Sequence, residues 1–248
     1  MTLRRRTFML GSVACLLAPA VPRAAPLDAA LTSRYRALGG EPFAVPAIDL
    51  TRIRPEFLRR EVDDVTREPA GSIVVDPAKH FLYLVQPGGK AMRYGVGVGR
   101  SGFAWSGVAT VNSKQAWPDW YPPKEMLERQ PQLARAMRKL RSGLGMPGGT
   151  GNPLGARALY LWQDNRDTLF RIHGTVEPWT IGTNASSGCI RMINQDVMDL
   201  YERVEPGARV VVLGASGDSV ASTRGGDRLP PLHQLVRDPD ALARRGLW

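Results

Sequence analysis

The sequence predicts a mainly β domain with short helices, a β-rich α+β fold, and three observations carry that reading. Short apolar runs recur over residues 72–75, 81–85, 91–98, 158–162, 168–172 and 208–213. Turn-forming residues bound them, with Pro87-Gly88-Gly89 as a hairpin connection. Helical periodicity, by contrast, appears in only two places.

The first of these is 124–141. There Met126, Leu127, Leu133, Met137 and Leu140 predict one surface helix, ended by Ser142-Gly143. The second lies near 195–204, where Asn194 is expected to cap a helix with apolar Val197, Leu200, Tyr201 and Val204, terminated by Pro206-Gly207. Residues 117–123 hold too many prolines for regular structure. Residues 146–155 form a glycine-rich loop of the length common in functional lids. Gly95, Gly97 and Gly99 alternate within one run, which points to close backbone approach or a bend. A phosphate loop would need a helix directly afterwards, and Trp105-Ser106-Gly107 supplies none.

Four segments follow from texture. Residues 1–25 read as an export leader, because Arg4-Arg5-Arg6 precedes an apolar run and small residues at Ala18, Ala20, Ala24 and Ala25. Arg5-Arg6 with Phe8 fits a twin-arginine signal, a generic basic leader being the alternative. The apolar run is shorter than the roughly 18–20 residues that span a bilayer, so no stable membrane anchor is expected. Residues 26–70 form an N-terminal arm with one short helix near 55–65, 71–213 the domain, and 214–248 a Gly-, Ser-, Asp- and Arg-rich flexible tail.

The chain has 248 residues, 43% of them apolar and 23% charged, enough to bury a full core. Loss of Arg4, Arg5, Arg6 and Arg23 with the leader lowers the formal charge from +10 to +6. A basic exported protein suits an anionic surface such as the cell wall. Nucleic acid is excluded as a partner, since no basic stripe interleaves with aromatics and no binding motif is present.

Removal of the leader also takes Cys15 and leaves Cys189 as the one cysteine of the mature chain. An unpaired cysteine outside the cytoplasm is reactive, intermolecular or simply buried. A thiol attacks as thiolate and needs an imidazole to take its proton. His80 lies in an expected exposed turn and His233 in the tail, so His173, at the end of a predicted strand, is the candidate base. Gly188 beside Cys189 lets substrate approach backbone amides, so the amides of Gly188 and Cys189 are expected to form an oxyanion hole with Ser187 nearby. Ser187-Gly188-Cys189 alone would favour a tight turn. One cysteine with scattered histidines gives no metal-ligand spacing, and no cofactor is expected. The absence of a resolving cysteine argues against a thiol redox protein.

The stretch His173-Gly174-Thr175, followed by Ser186-Ser187-Gly188-Cys189-Ile190-Arg191-Met192, resembles the signature of the L,D-transpeptidase catalytic domain, the YkuD family. The resemblance extends through Ile73-Val74-Val75-Asp76, Phe81-Leu82-Tyr83-Leu84, Arg93-Tyr94-Gly95-Val96-Gly97-Val98-Gly99, Trp117-Pro118-Asp119-Trp120 and Asn152-Pro153-Leu154-Gly155, and it covers about 71–213. Ser187 departs from the histidine that many members carry there. The resemblance implies mixed sheets folded into a sandwich or cradle. It makes Cys189 the acylated nucleophile and His173 its base, oriented by the Gly174 carbonyl. Arg191, Trp179 and Asn152 become substrate contacts. The alternative readings are a salt bridge from Arg191 to Glu177 or Asp196, and core positions for Trp179 and Tyr94. The implied reaction is periplasmic. Cys189 attacks the third residue, a diamino acid, of a peptidoglycan stem tetrapeptide and expels D-Ala, and the acyl group passes to an amine. That amine belongs to a second stem peptide, giving a 3-3 cross-link, or to a lysine of an outer-membrane lipoprotein. A hydrolytic carboxypeptidase or amidase and a non-catalytic wall-binding module are the alternatives.

Overall fold

The computed structural model describes residues 29–100, 105–122, 124–186 and 188–214. The expected leader, nearly all of the expected tail and Ser187 lie outside the described residues. The first strands are β1 Arg60–Asp63, β2 Ile73–Asp76, β3 Phe81–Gln86, β4 Lys90–Gly95, β5 Val98–Gly99 and β6 Gly107–Ala116. They are followed by β7 Arg138–Leu140, β8 Gly143–Gly145, β9 Arg157–Gln163, β10 Arg166–His173, β11 Asn184–Ser186, β12 Ile190–Arg191 and β13 Arg209–Val212. The helices are α1 Ala29–Arg34, α2 Lys124–Arg129 and α3 Asn194–Arg203. The fold is mainly β, as the apolar runs predict.

Nine strands form one mixed sheet in the order β1-β4-β3-β2-β13-β6-β9-β10-β12. The β2·β13 and β10·β12 pairs are parallel and the other pairs of this sheet antiparallel. A single buried cluster joins Tyr94 near one edge to Ile172 and Ile190 at the other, through Ile73, Leu82, Val111, Leu161 and Val210. Because side chains from both ends meet, the sheet curls into a cradle. The amphipathic helix α3 fills it with Val197 and Leu200, and Val204 at its C-cap joins them.

Four local readings are corrected. The helix expected near 55–65 is a 3₁₀ turn at Pro55–Phe57 followed by β1, because β4 offers that segment a free sheet edge. The helix expected over 124–141 stops at Arg129, and Pro131 opens a separate 3₁₀ segment over Pro131–Ala136. The β7–β8 hairpin then takes up Leu140, the last of the apolar positions assigned to that helix. Asn194 does not cap α3. Ile193 stands at the cap, while the Asn194 side chain accepts from Ala156 N–H at 3.0 Å and donates to the Thr175 carbonyl at 3.0 Å. Finally, β6 is a central strand that the apolar pattern does not reveal. Its Lys114 Nζ donates to the Tyr201 and Val204 carbonyls at the C-terminal end of α3, a cation where the helix dipole favours one.

The alternating glycines permit close approach. A Cβ at Gly97 would sit 2.8 Å from the Thr180 carbonyl oxygen. That approach lets Gly97 exchange two backbone hydrogen bonds with Arg191, at 2.9 and 2.8 Å, while β5 pairs with β11. The glycine run therefore holds the segment that carries Cys189.

Candidate active site

The site forms where β12 lies parallel to β10, with Ile172 opposite Ile190 and His173 opposite Arg191. Ile172 and Ile190 point into the core. Side chains alternate along a strand, so Arg171 and His173 share the other face with Cys189 and Arg191. His173 Nδ1 lies 2.5 Å from the Gly174 carbonyl, a bond that requires the proton on Nδ1 and leaves Nε2 as the basic atom. His173 is buried, and burial pushes its imidazole down to about 4, with the Arg191 and Arg171 charges adding to the effect and the Gly174 bond opposing it.

Cys189 is half-buried. Desolvation pushes its thiol up, opposed by the Arg171 backbone N–H and by the Arg171 and Arg191 charges. The thiol also makes a long contact, 3.9 Å to the Leu169 carbonyl, and no hydrogen bond joins it to His173 among the described residues. The resting pair is therefore a neutral thiol and a neutral imidazole on one face, with Sγ turned toward β10.

Beside the nucleophile, Gly188 has φ +122° and its N–H donates to Ser186 Oγ at 3.1 Å, while that hydroxyl donates to the Cys189 carbonyl. The Gly188 amide expected in the oxyanion hole is thus occupied. The Cys189 N–H has no acceptor among the described residues. Ser186, quoted in the signature but given no role, is the hydroxyl that shapes this turn. The expected helper Ser187 lies outside the described residues.

Arg191 pairs with Glu177 at 3.1 Å, at the mouth of the site. Arg171 holds Asp167 in a two-point ion pair, at 2.7 and 2.8 Å, and stacks 4.5 Å from the Tyr160 ring centroid. Sequence reasoning missed Arg171, and its position two residues before His173 on a strand was the available signal.

Trp179 and Asn152 stand elsewhere. Trp179 is 46% exposed, lies under Arg52, and lines a cleft of about 270 Å³ with Pro46, Thr175 and Val176, a cleft whose lining includes neither Cys189 nor His173. Tyr94 is a core residue whose hydroxyl donates to Asp199. Asn152 is buried; its amide donates to the Pro118, Met146 and Pro147 carbonyls and its oxygen accepts from Leu154 N–H. These bonds pin the 146–155 loop and give Asn152 a structural role beside the substrate contact expected from the sequence. Asn152→Ala is expected to cost about 1–3 kcal/mol by stranding these groups. Thermal unfolding checks it, and an unchanged midpoint with a raised KM would restore the substrate contact.

Among the described residues no group of three or more His, Cys, Asp or Glu is placed to hold a metal ion, and no helix is long and apolar enough to cross a membrane.

The family model of the L,D-transpeptidase catalytic domain matches residues 70–212 of this chain. That is more than half of the chain, which therefore belongs to this family. Probable L,D-transpeptidase YcfS of Escherichia coli is 30% identical over 174 residues, 68% of this chain and 52% of that protein. Probable L,D-transpeptidase ErfK/SrfK of the same species is 33% identical over 148 residues, 57% of this chain and 43% of that protein. The chain spans about half the length of these curated relatives. A solved structure from Brucella melitensis, titled a probable carnitine operon oxidoreductase, is 52% identical and covers 66% of this chain and 99% of its own. Its TM-score is 0.43, so the superposition carries no argument.

Proposed function

We propose that the chain is a periplasmic cysteine acyltransferase acting on peptidoglycan stem tetrapeptides. The observation that best supports this is the shared face of Cys189 and His173, with Nδ1 spent on Gly174 so that only Nε2 can accept a proton. On substrate binding, Cys189 Sγ turns from the Leu169 carbonyl toward His173. Its proton passes to Nε2 and the sulfur attacks the carbonyl carbon of the third, diamino acid residue. The Cys189 N–H stabilises the oxyanion, and the Gly188 N–H joins it when released from Ser186. The C–N bond to D-Ala breaks, His173 returns its proton to the departing amine, and an acyl thioester remains.

An amine then attacks the thioester while His173 accepts its proton, and the thiol is regenerated as an amide forms. A second stem peptide as acceptor gives a 3-3 cross-link. A lysine of an outer-membrane lipoprotein gives an anchored protein. The twin-arginine-like leader and basic mature charge support the envelope as the place of work.

Incubation of the leader-free chain with a disaccharide tetrapeptide, followed by mass spectrometry, is expected to show an acyl adduct on Cys189 and free D-Ala. Cys189→Ala should show neither. Absence of any adduct on the wild-type chain overturns the reading. Amine products assign the acceptor, and tripeptide alone assigns water. Recovery of a shortened chain from the periplasm tests location, and full-length cytoplasmic retention would overturn that part.

A further inference from the structure

We propose that Arg171 reads a carboxylate of the acyl donor, and that Asp167 and the backbone bulge at Leu169 aim it. The inference rests on the acyl-transfer reading above and names the specificity of the same site.

The argument starts from strain. Leu169 has φ +62°, a left-handed conformation costly for a branched side chain, inside β10 and 56% exposed. The register with β9 shifts between Asp167 and Arg171, which marks a bulge. Four residues of regular strand span about 13 Å, too far for Asp167 and Arg171 to form a two-point ion pair. The bulge shortens that path. Asp167 Oδ1 accepts the Leu169 N–H at 2.8 Å, and the carboxylate then meets both terminal nitrogens of Arg171. Leu169 also presents its carbonyl to the thiol, so the strained residue adjoins the nucleophile.

The guanidinium is left half used. Asp167 takes the Nη1–Nη2 edge, Nη1 also donates to the Phe170 carbonyl, and Tyr160 covers one face. The Nε–Nη2 edge has no acceptor among the described residues, and Nε is not among the sealed, unpartnered polar atoms. A planar fork with one edge fixed and one open suits two-point capture of a carboxylate. Arg171 is therefore a specificity residue and Asp167 a positioning residue. The tetrapeptide offers two such carboxylates, one on the diamino acid side chain and one at its C-terminus.

The test measures the second-order rate of Cys189 acylation for three donors: both carboxylates free, the diamino acid amidated, and the C-terminus amidated. Wild type is expected to react about tenfold to a hundredfold more slowly with one amidated donor, which identifies the carboxylate. Arg171→Met should abolish the difference in rate between the free donor and that amidated donor. Arg171→Lys, which keeps charge without the fork, and Asp167→Asn, which loosens the fork, should retain part of the discrimination, and they decide the matter if Arg171→Met does not fold. Equal wild-type rates for all donors, or one common factor lost for all of them in the variants, overturns the proposal. Failure of wild type to acylate with any donor overturns the acyl-transfer reading instead, so the two failures are distinct.

Discussion

Replacing His173 with Ala is expected to slow acylation of Cys189 by about 10²–10⁴-fold, the usual contribution of a positioned general base, and to change the shape of the pH profile. Burial holds the imidazole down at about 4 and pushes the thiol above its ordinary value. Wild-type rate should therefore rise as pH increases through about 4, where Nε2 becomes free to accept a proton, and then stay level through neutrality. Without His173 only the thiolate fraction attacks, so the rate should climb about tenfold per pH unit below the thiol pKa. Adduct formation followed from about pH 3 to 9 reads both profiles. A level profile at wild-type rates in the variant would remove His173 from the mechanism. Stability carries a second signature. The folded imidazole titrates near 4 and an unfolded one near 6.5. Between those values the unfolded chain binds more protons, so this residue makes stability rise with pH, and His173→Ala should lose that slope.

Much of this pair was legible in the sequence, for a physical reason. Of the two cysteines Cys15 falls in the expected leader, which leaves Cys189 as the candidate thiol, and of the histidines only His173 follows an apolar strand-forming run. The strands β2, β3, β9, β10 and β13 were legible for the same reason, since each is an apolar run bounded by turn residues. What escaped was set by tertiary contacts. Ala109 and Val111 of β6 face the core, but the strand continues through polar residues 112–115, and Lys114 serves α3 instead of solvent. Asn194 has the composition of a helix cap and works as a tie between two loops. The pairing of Arg171 with Asp167 could not be read from the sequence, because a bulge with a left-handed leucine leaves no trace in apolar periodicity. The use of Gly188 N–H by Ser186 is likewise a turn geometry that residue types do not specify.

The arm, finally, is held to the domain by buried charge, and Arg59→Met is expected to show it. Arg59 Nη1 lies 2.7 Å from Asp199 Oδ1 and Nε lies 3.7 Å from Asp196 Oδ1. The 2.7 Å contact is an ion pair and not an aligned hydrogen bond, since Nη1 lacks a hydrogen-bond partner, and Asp196 Oδ1 lacks one as well. Tyr35 of the arm donates to Asp196 and accepts from Arg59 N–H, while Tyr94 and Arg203 hold Asp199, and the Arg34 charge also acts on Asp196. Removing the cation leaves two neighbouring carboxylates, one of them fully buried, and is expected to cost about 3–5 kcal/mol. The sign with pH is fixed by Asp196, which burial pushes up to about 7. A folded value above the unfolded 3.8 means that the folded chain binds the extra proton, so stability from this group is lost as pH rises from about 4 to about 7. Without Arg59 the value rises further. The deficit of Arg59→Met in thermal midpoint should therefore be largest at pH 8 and shrink toward pH 5, and adding Asp196→Asn should recover part of it at pH 8. A deficit equal at both pH values would show that Arg59 acts by packing alone. Residues 29–63 precede the family-matched segment, yet they supply Tyr35, Arg59 and strand β1, so loss of this clamp should also free the arm's edge of the sheet.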